Sequence, residues 1–286
     1  LCLLSGAKIH FIKKFQTEKV IEYLPKSTVM MGVPTFYTRL IESNKLNFQI
    51  TKNIRVFISG SAPLLSETHK EFESLTGHKI LERYGMTETN MNTSNPYDGE
   101  RRAGTVGFPL PGIKIRITDT EKSHKMASEK IGMIEIKGEN VFEGYWKMSD
   151  KTKESFTDDG YFVTGDLGKF SSDGYLSIIG RNKDLIISGG LNIYPKEIEV
   201  VIDGINNVKE TAVIGVTHKD FGEAVVAVVV ADREKVSESS IMEIVQTKLA
   251  KFKQPKKIIF VNALPRNAMG KVQKQNLRNN YNKLFN

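Results

Sequence analysis

Cysteine is nearly absent: Cys2 is the one thiol in 286 residues. No disulfide can form within the chain, no cysteine metal site can be built, and a reducing compartment suits the composition. Long apolar runs are missing too. None approaches the ~20 residues that a membrane-spanning helix needs. No dense arginine run with interleaved aromatics occurs, so the formal charge of +8 carries no nucleic-acid signature. The excess of cations suits anionic small molecules or simple solubility. There are no internal repeats, no low-complexity tract and no targeting pattern. The chain starts at Leu1, within an apolar segment and without methionine, and reads as a piece whose upstream region is missing.

What is there fits two domains at ~100–200 residues each, with ordinary apolar (40%) and charged (26%) content. In residues 1–103 strand and helix signals alternate. Thr17 to Leu24 reads as a helix, and Ser27 to Val33 as a buried strand. Pro34 then opens a helix to Ser43, and Arg55 to Ser59 forms the next strand. The turn Gly60-Ser61-Ala62-Pro63 leads to a helix with Leu65, Phe72 and Leu75 inward, closed by Gly77. In such crossover arrangements ligands bind at the carboxyl ends of the strands. From residue 104 to 180 the pattern changes. Ile113 to Ile117 and Ile134 to Lys137 alternate with period two, and Asp159-Gly160 and Asp173-Gly174 mark hairpins, predicting a small barrel or twisted sheet.

Beyond Gly180 a second domain opens. Pro195 starts a helix with Ile198, Val201, Ile202 and Ile205 inward. Thr211 to Val216, Ala224 to Val230 and Ile258 to Val261 are strands. Ser240 with Glu243 reads as a capping box, and the polar tail to Asn286 as flexible.

Five stretches could carry chemistry. Leu81-Glu82-Arg83-Tyr84-Gly85-Met86-Thr87-Glu88-Thr89, placed after a short strand, offers a ring, a bare backbone, a hydroxyl and a carboxylate. Those are the groups needed for a nucleotide base, its phosphate and Mg²⁺. Asp166, behind Thr164-Gly165, could accept bonds from a ribose diol. At the domain junction, Arg181 could bind ribose or phosphate and Lys183 absorb a change of backbone angles. Ser188-Gly189-Gly190, just ahead of a helix, allows close approach of an extended ligand. In Pro265 to Lys271 a lysine behind a glycine can bring charge to a reacting carboxylate and phosphate.

In this order the motifs resemble those of the adenylate-forming superfamily of acyl-CoA synthetases: Tyr84-Gly85-Met86-Thr87-Glu88, Thr164-Gly165-Asp166, Gly180-Arg181 with Lys183-Asp184, Glu197-Ile198-Glu199, and Pro265-Arg266 to Gly270-Lys271. Residues 81–99, with Gly32 to Arg39 and Ser59 to Pro63, are similar to the malonyl-CoA synthetase subfamily. The resemblance implies an α/β fold. The end of a large domain spans residues 1–182, with an α/β layer over residues 1–103 and a β-barrel-like subdomain over residues 104–180. A small mobile α+β domain, residues 183–286, follows it.

It implies ligation of malonate, with methylmalonate as a second acid, to coenzyme A through an acyl-adenylate, with ATP and Mg²⁺. Glu82 to Met86 (Glu82, Arg83, Tyr84, Gly85, Met86) and Gly60, Ser61 and Ala62 would flank the nucleotide, with Tyr84 on adenine. Thr87 would bind phosphate and Glu88 the metal. Asp166 and Arg181 would hold ribose, Arg39 the second carboxylate, and Ser188, Gly189 and Gly190 the pantetheine. Lys183 would be the hinge, and Lys271 would bridge carboxylate and α-phosphate. The superfamily's phosphate loop is absent, so the chain implies a fragment with little activity of its own. Neither nucleic acid nor a membrane span enters, and the enzyme would be cytoplasmic, or mitochondrial if eukaryotic. Two other classes stay open: an adenylation domain loading a carrier protein, and a non-catalytic nucleotide-binding remnant.

Overall fold

The computed structural model describes residues 3–119, 126–267 and 270–285. Two compact units divide the chain. The first holds Leu1–Ile115, Ile136–Phe162 and Phe170–Ser177. The second holds Arg116–Glu135, Val163–Lys169 and Ile178–Asn286.

The first unit begins with α1 (Thr17–Tyr23), β1 (Val29–Gly32), α2 (Pro34–Glu42), α3 (Phe48–Thr51), β2 (Val56–Ser59) and α4 (Ser66–Thr76). It continues through β3 (Leu81–Met86), β4 (Asn90–Ser94) and β5 (Phe108–Pro109). One sheet runs β1-β2-β3-β4-β5. β1, β2 and β3 are parallel, and β4 and β5 turn back antiparallel. Pro34 fixes the start of α2 because its ring holds Val33 extended (φ −88°, ψ 159°). Gly77, at φ +73°, ends α4 by donating to the Glu73 carbonyl. Tyr37, Phe57 and Phe72 meet edge to face in the core, and the Tyr37 hydroxyl donates to the Ile58 carbonyl at 2.6 Å. The inward stripe of α4 is His69, Phe72 and Thr76, with Leu64 buried just before it. Leu75, expected inward, is 38% exposed, because the buried stripe runs through His69, Phe72 and Thr76 and Leu75 falls beside it.

A four-stranded sheet follows in the order β6 (Lys114–Thr118), β7 (Gly132–Lys137), β8 (Phe162–Phe170) and β9 (Leu176–Arg181), with α5 (Ser149–Glu154) between β7 and β8. It is an open sheet and not a closed barrel. Gly160 (φ +80°) and Gly174 (φ +91°) make the two expected turns.

In the second unit β10 (Ile186–Ser188) and β11 (Leu191–Ile193) precede α6 (Pro195–Asp203). The long hairpin β12 (Val208–His218) and β13 (Gly222–Ala231), α7 (Glu238–Lys248), β14 (Lys257–Phe260) and α8 (Lys274–Tyr281) complete it. The sheet order is β11-β10-β13-β12, with β14 parallel on β13. Val213, Val225, Ala227 and Val229 face Ile198 and Ile202 of α6 and Ile241 and Val245 of α7. The alternate residues, Ala212, Ile214, Val226 and Val228, face Leu264 and Leu277 of α8. The tail is therefore not a flexible end: it folds into α8 and covers the second sheet face. Burying Leu277 contributes about 2 kcal/mol. The capping box also differs from the Ser240–Glu243 reading. Ser237 accepts from the Ser240 amide and Ser240 Oγ accepts from the Ser237 amide, starting α7 at Glu238.

Asp203 ends α6 with Oδ1 buried and unpartnered among the described residues. Burial raises its pKa to about 7, only partly offset by Lys196 and Thr211, while Glu199 and Glu210 add to the rise. The folded protein thus holds a proton that the unfolded chain releases near pH 4. Stability falls as pH rises from about 4 to about 7, by up to roughly 4 kcal/mol. Asp203→Asn should raise the thermal midpoint at pH 8 and leave it nearly unchanged at pH 4.5. Equal midpoints at pH 8 would show that Asp203 is ordinarily solvated.

Candidate active site

Two parallel strands, β1 and β2, end level in the first unit, and β3 runs on past them to Met86. Gly32 pairs with Ser59, and Ser59 with Glu82. The chain leaves β2 through Gly60 and Ser61, whose φ of +68° lies in the left-handed region, at a modest cost for a serine. A Cβ on Gly60 would lie 3.6 Å from the Arg83 carbonyl. The structure thus brings Gly60, at the start of the Gly60–Ala62 turn, beside the Arg83 carbonyl of β3.

Glu82 to Met86 are not a loop after a strand: they are β3 itself. Residues 90–94, not read as a strand from the sequence, return as β4 and close a hairpin around Thr87, Glu88 and Thr89. Gly85 serves that hairpin, because a Cβ there would sit 2.0 Å from the Asn90 carbonyl oxygen. The Glu82 side chain points into the protein, where its carboxylate meets His69 Nδ1 at 3.3 Å and accepts from the Gly104 amide. Burial raises the Glu82 pKa, and the His69 contact opposes the rise. Its carboxylate is a structural partner, so Glu82 can face a nucleotide only through its backbone. Arg83 is half-buried, which lowers its pKa.

Thr87 is exposed and Glu88 half-buried. Glu88 Oε1 accepts from the Tyr145 hydroxyl at 3.1 Å, and its carbonyl accepts from the Phe142 amide. Burial and the Glu88 charge raise the Tyr145 pKa, keeping it a donor. Asn140 Nδ2 donates to the Thr89 carbonyl and to Asn92 Oδ1, fixing the turn from below. Tyr145 and Asn140 escaped sequence reading. Their signal was two glycine-flanked polar residues, Gly138 to Asn140 and Gly144-Tyr145, after a period-two strand. Among the described residues no group of three or more metal-ligating side chains stands ready to hold an ion alone. A single oriented carboxylate suits Mg²⁺, which takes its other ligands from phosphate and water. Arg39 lies exposed in the last turn of α2, its guanidinium 5.9 Å from the Phe15 ring centroid.

In the second unit, Asp166 and Arg181 come together. Arg181 Nε meets Asp166 Oδ1 at 2.8 Å, and Nη1 donates to the Thr164 carbonyl. The Asp166 amide donates to Thr164 Oγ1, so the Thr164-Gly165-Asp166 stretch orients its own carboxylate. Lys183 is exposed in a short 3₁₀ turn whose Asp184 accepts from Arg278 of α8 at 2.6 Å. Gly189 (φ +57°) and Gly190 (φ +77°) form a two-residue hairpin between β10 and β11, a tighter structure than the open loop ahead of a helix that was expected. Lys271 is exposed, in a loop closed by the Arg266–Val272 bridge. Its amide donates to Asn267 Oδ1 and its carbonyl accepts from the Asn267 amide. Arg266 pairs with Glu210 and donates to the Gly270 carbonyl. Two residues of that motif, Ala268 and Met269, lie outside the described residues.

Comparison with known proteins decides the family. The model of the AMP-binding enzyme family matches residues 1–146, and that of the AMP-binding enzyme C-terminal domain matches residues 197–271. The chain belongs to the AMP-binding enzyme family. Among curated AMP-binding relatives, a malonate–CoA ligase of Arabidopsis thaliana is 41% identical over 88% of this chain and 44% of its own length. A mitochondrial malonate–CoA ligase of Bos taurus is 34% identical over 97% and 54%. The chain thus spans about half the length of the curated relatives it matches. ATP-bound MatB from Rhodopseudomonas palustris is 55% identical and superposes with a TM-score of 0.96, covering all of this chain and 57% of that one. Like these AMP-binding enzymes, the chain is mixed α/β with several sheets.

Proposed function

We propose that the protein ligates malonate to coenzyme A by way of malonyl-adenylate, releasing AMP and pyrophosphate. The observation that carries the reading is the 55% identity to MatB along the whole chain, joined to 41% with a malonate–CoA ligase. In this reading Tyr84 stacks on adenine beside the Gly60–Ala62 turn, Thr87 binds phosphate, and the Tyr145-held carboxylate of Glu88 binds Mg²⁺. That ion would offset charge on the phosphates. Asp166 and Arg181 hold the ribose, and their mutual pair supports assigning both to one ligand.

The first half-reaction drives a carboxylate against a polyanion, and Lys271 supplies the cation that bridges them. The small domain, from Lys183 to the end, then turns about Lys183, carrying Lys271 away and bringing the Ser188–Gly190 hairpin to the pantetheine arm. The reading assigns the enzyme to the cytoplasm, with the mitochondrion as the alternative for a eukaryotic source. No helix among the described residues is long and apolar enough to cross a membrane.

Arg39 is assigned to the free carboxylate of malonate, because a desolvated charge needs a partner and a guanidinium offers paired donors. The test is acid-dependent pyrophosphate release by the full-length protein. Arg39→Ala should lower kcat/KM for malonate about a hundredfold, the loss of one charged hydrogen-bonded pair, and for propionate far less. Parallel losses for both acids would make Arg39 structural, and no malonate-dependent release by the wild type would overturn the function itself.

A further inference from the structure

A pocket of the first unit, of about 270 Å³, lies against α4, beside the contact between His69 and Glu82. It is lined by His69 and Lys70 of α4, by Glu73 and Lys79, and by the segment Glu100 to Ala103. Its charges do not cancel. Arg102 is held by Glu100 and Asp173, and Lys79 lies 3.9 Å from Glu73. Lys70 has no ion-pair partner among the described residues.

Arg101 has no carboxylate either. Nε, Nη1 and Nη2 donate to the carbonyls of Pro96, Lys79 and Tyr97, which fixes the guanidinium without neutralising it. Two of its five N–H donors stay available. Its positive field is felt nearby, where it helps to lower the pKa of His78.

His69 supplies the second observation. It is 2% exposed, its Nδ1 is engaged by Glu82, and its Nε2 is buried without a partner among the described residues. A buried imidazole nitrogen left unpaired is costly, and native proteins usually pair it. With Glu82 protonated, Nδ1 accepts and Nε2 carries the proton. With Glu82 ionised and the ring neutral, Nδ1 donates to it and Nε2 accepts. Hydrogen phosphate offers both acceptor oxygens and an O–H, so it can pair with Nε2 in either state, and its charge of about two matches the two uncancelled cations.

We propose that this pocket is a binding site for a phosphate-class dianion, with Lys70 and Arg101 as its cations and His69 Nε2 as a hydrogen-bond partner. Because His69 also holds Glu82, two residues before Tyr84, an occupied pocket reaches the strand that carries the family's motif. The site stands independently of the ligase reading.

The test is titration of the protein with orthophosphate and, separately, pyrophosphate. It is followed by calorimetry and by ¹⁵N NMR of the His69 ring, with sodium chloride at matched ionic strength as control. Saturable binding with a shift of His69 Nε2 is expected. Lys70→Ala, at an exposed position, should weaken it about tenfold, 1.4 kcal/mol. The tighter of the two anions identifies the source of the phosphate. A His69 response equalled by chloride, or binding unchanged in Lys70→Ala, would overturn the proposal.

Discussion

Lys271→Ala should slow acyl-adenylate formation on the order of 10²–10³-fold and spare thioester formation from supplied malonyl-adenylate, the largest effect expected of any single substitution. The structure isolates the ammonium as the changed variable. The Lys271 backbone is bonded in both directions to Asn267, and Arg266 ties the loop to β12 through Glu210 and to the Gly270 carbonyl. The side chain itself is exposed, and alanine leaves those bonds in place. Removing one preorganised cation from a developing negative charge costs on the order of 10²–10³ in rate. ATP–pyrophosphate exchange reads the first step, and thiol-dependent release of AMP from synthetic adenylate reads the second, both in the full-length protein. Equal losses in the two assays would remove Lys271 from its assigned role.

Gly85→Ala should unfold the motif. A Cβ at residue 85 meets the Asn90 carbonyl oxygen at 2.0 Å, its carbon at 3.0 Å and Met91 Cα at 3.1 Å. All three belong to the backbone of the paired strand, so no side chain can swing away. The hairpin must open at the point where a register shift between Tyr84 and Gly85 already interrupts the pairing. A loss of about 3 kcal/mol or more is expected, at the upper end of overpacking costs. Gly60→Ala is the control. Its Cβ would meet only the Arg83 carbonyl at 3.6 Å, so less than about 1 kcal/mol should be lost. Denaturant midpoints of the two variants decide the matter, and similar values for both would refute the steric account.

The parallel strands of the first unit were legible because apolar runs ended at turns rich in glycine and proline, and the period-two strands of the next sheet because one side is polar. Local chemistry misled in two places. Asn90 to Ser94 carries one apolar residue, Met91, and becomes a strand only because β3 and β5 pair with it. The polar tail looked loose, since Leu277 is the one buried residue of α8. The cue was elsewhere, in Ala224 to Val230, apolar at every position. A strand without a polar side needs cover on both faces, and α6 and α7 supply only one.

At the site, residue types announced Asp166 and Arg181, but not that Glu82 faces inward. The partners His69, Asn140 and Tyr145 come from other segments of the chain, and the glycines beside Asn140 and Tyr145 mark a turn without saying what it meets. Pairings of that kind exist only once the chain is folded.

The helix at the carboxyl end has a practical meaning. It follows the lysine loop directly, seals a valine-lined surface and fastens Asp184 through Arg278. A stop codon shortly after Lys271 would keep every residue with an assigned chemical role and still bare that surface to solvent, favouring clumping and degradation. Loss of the final fifteen or so residues would therefore look like a dead active site in an assay while being a failure of solubility.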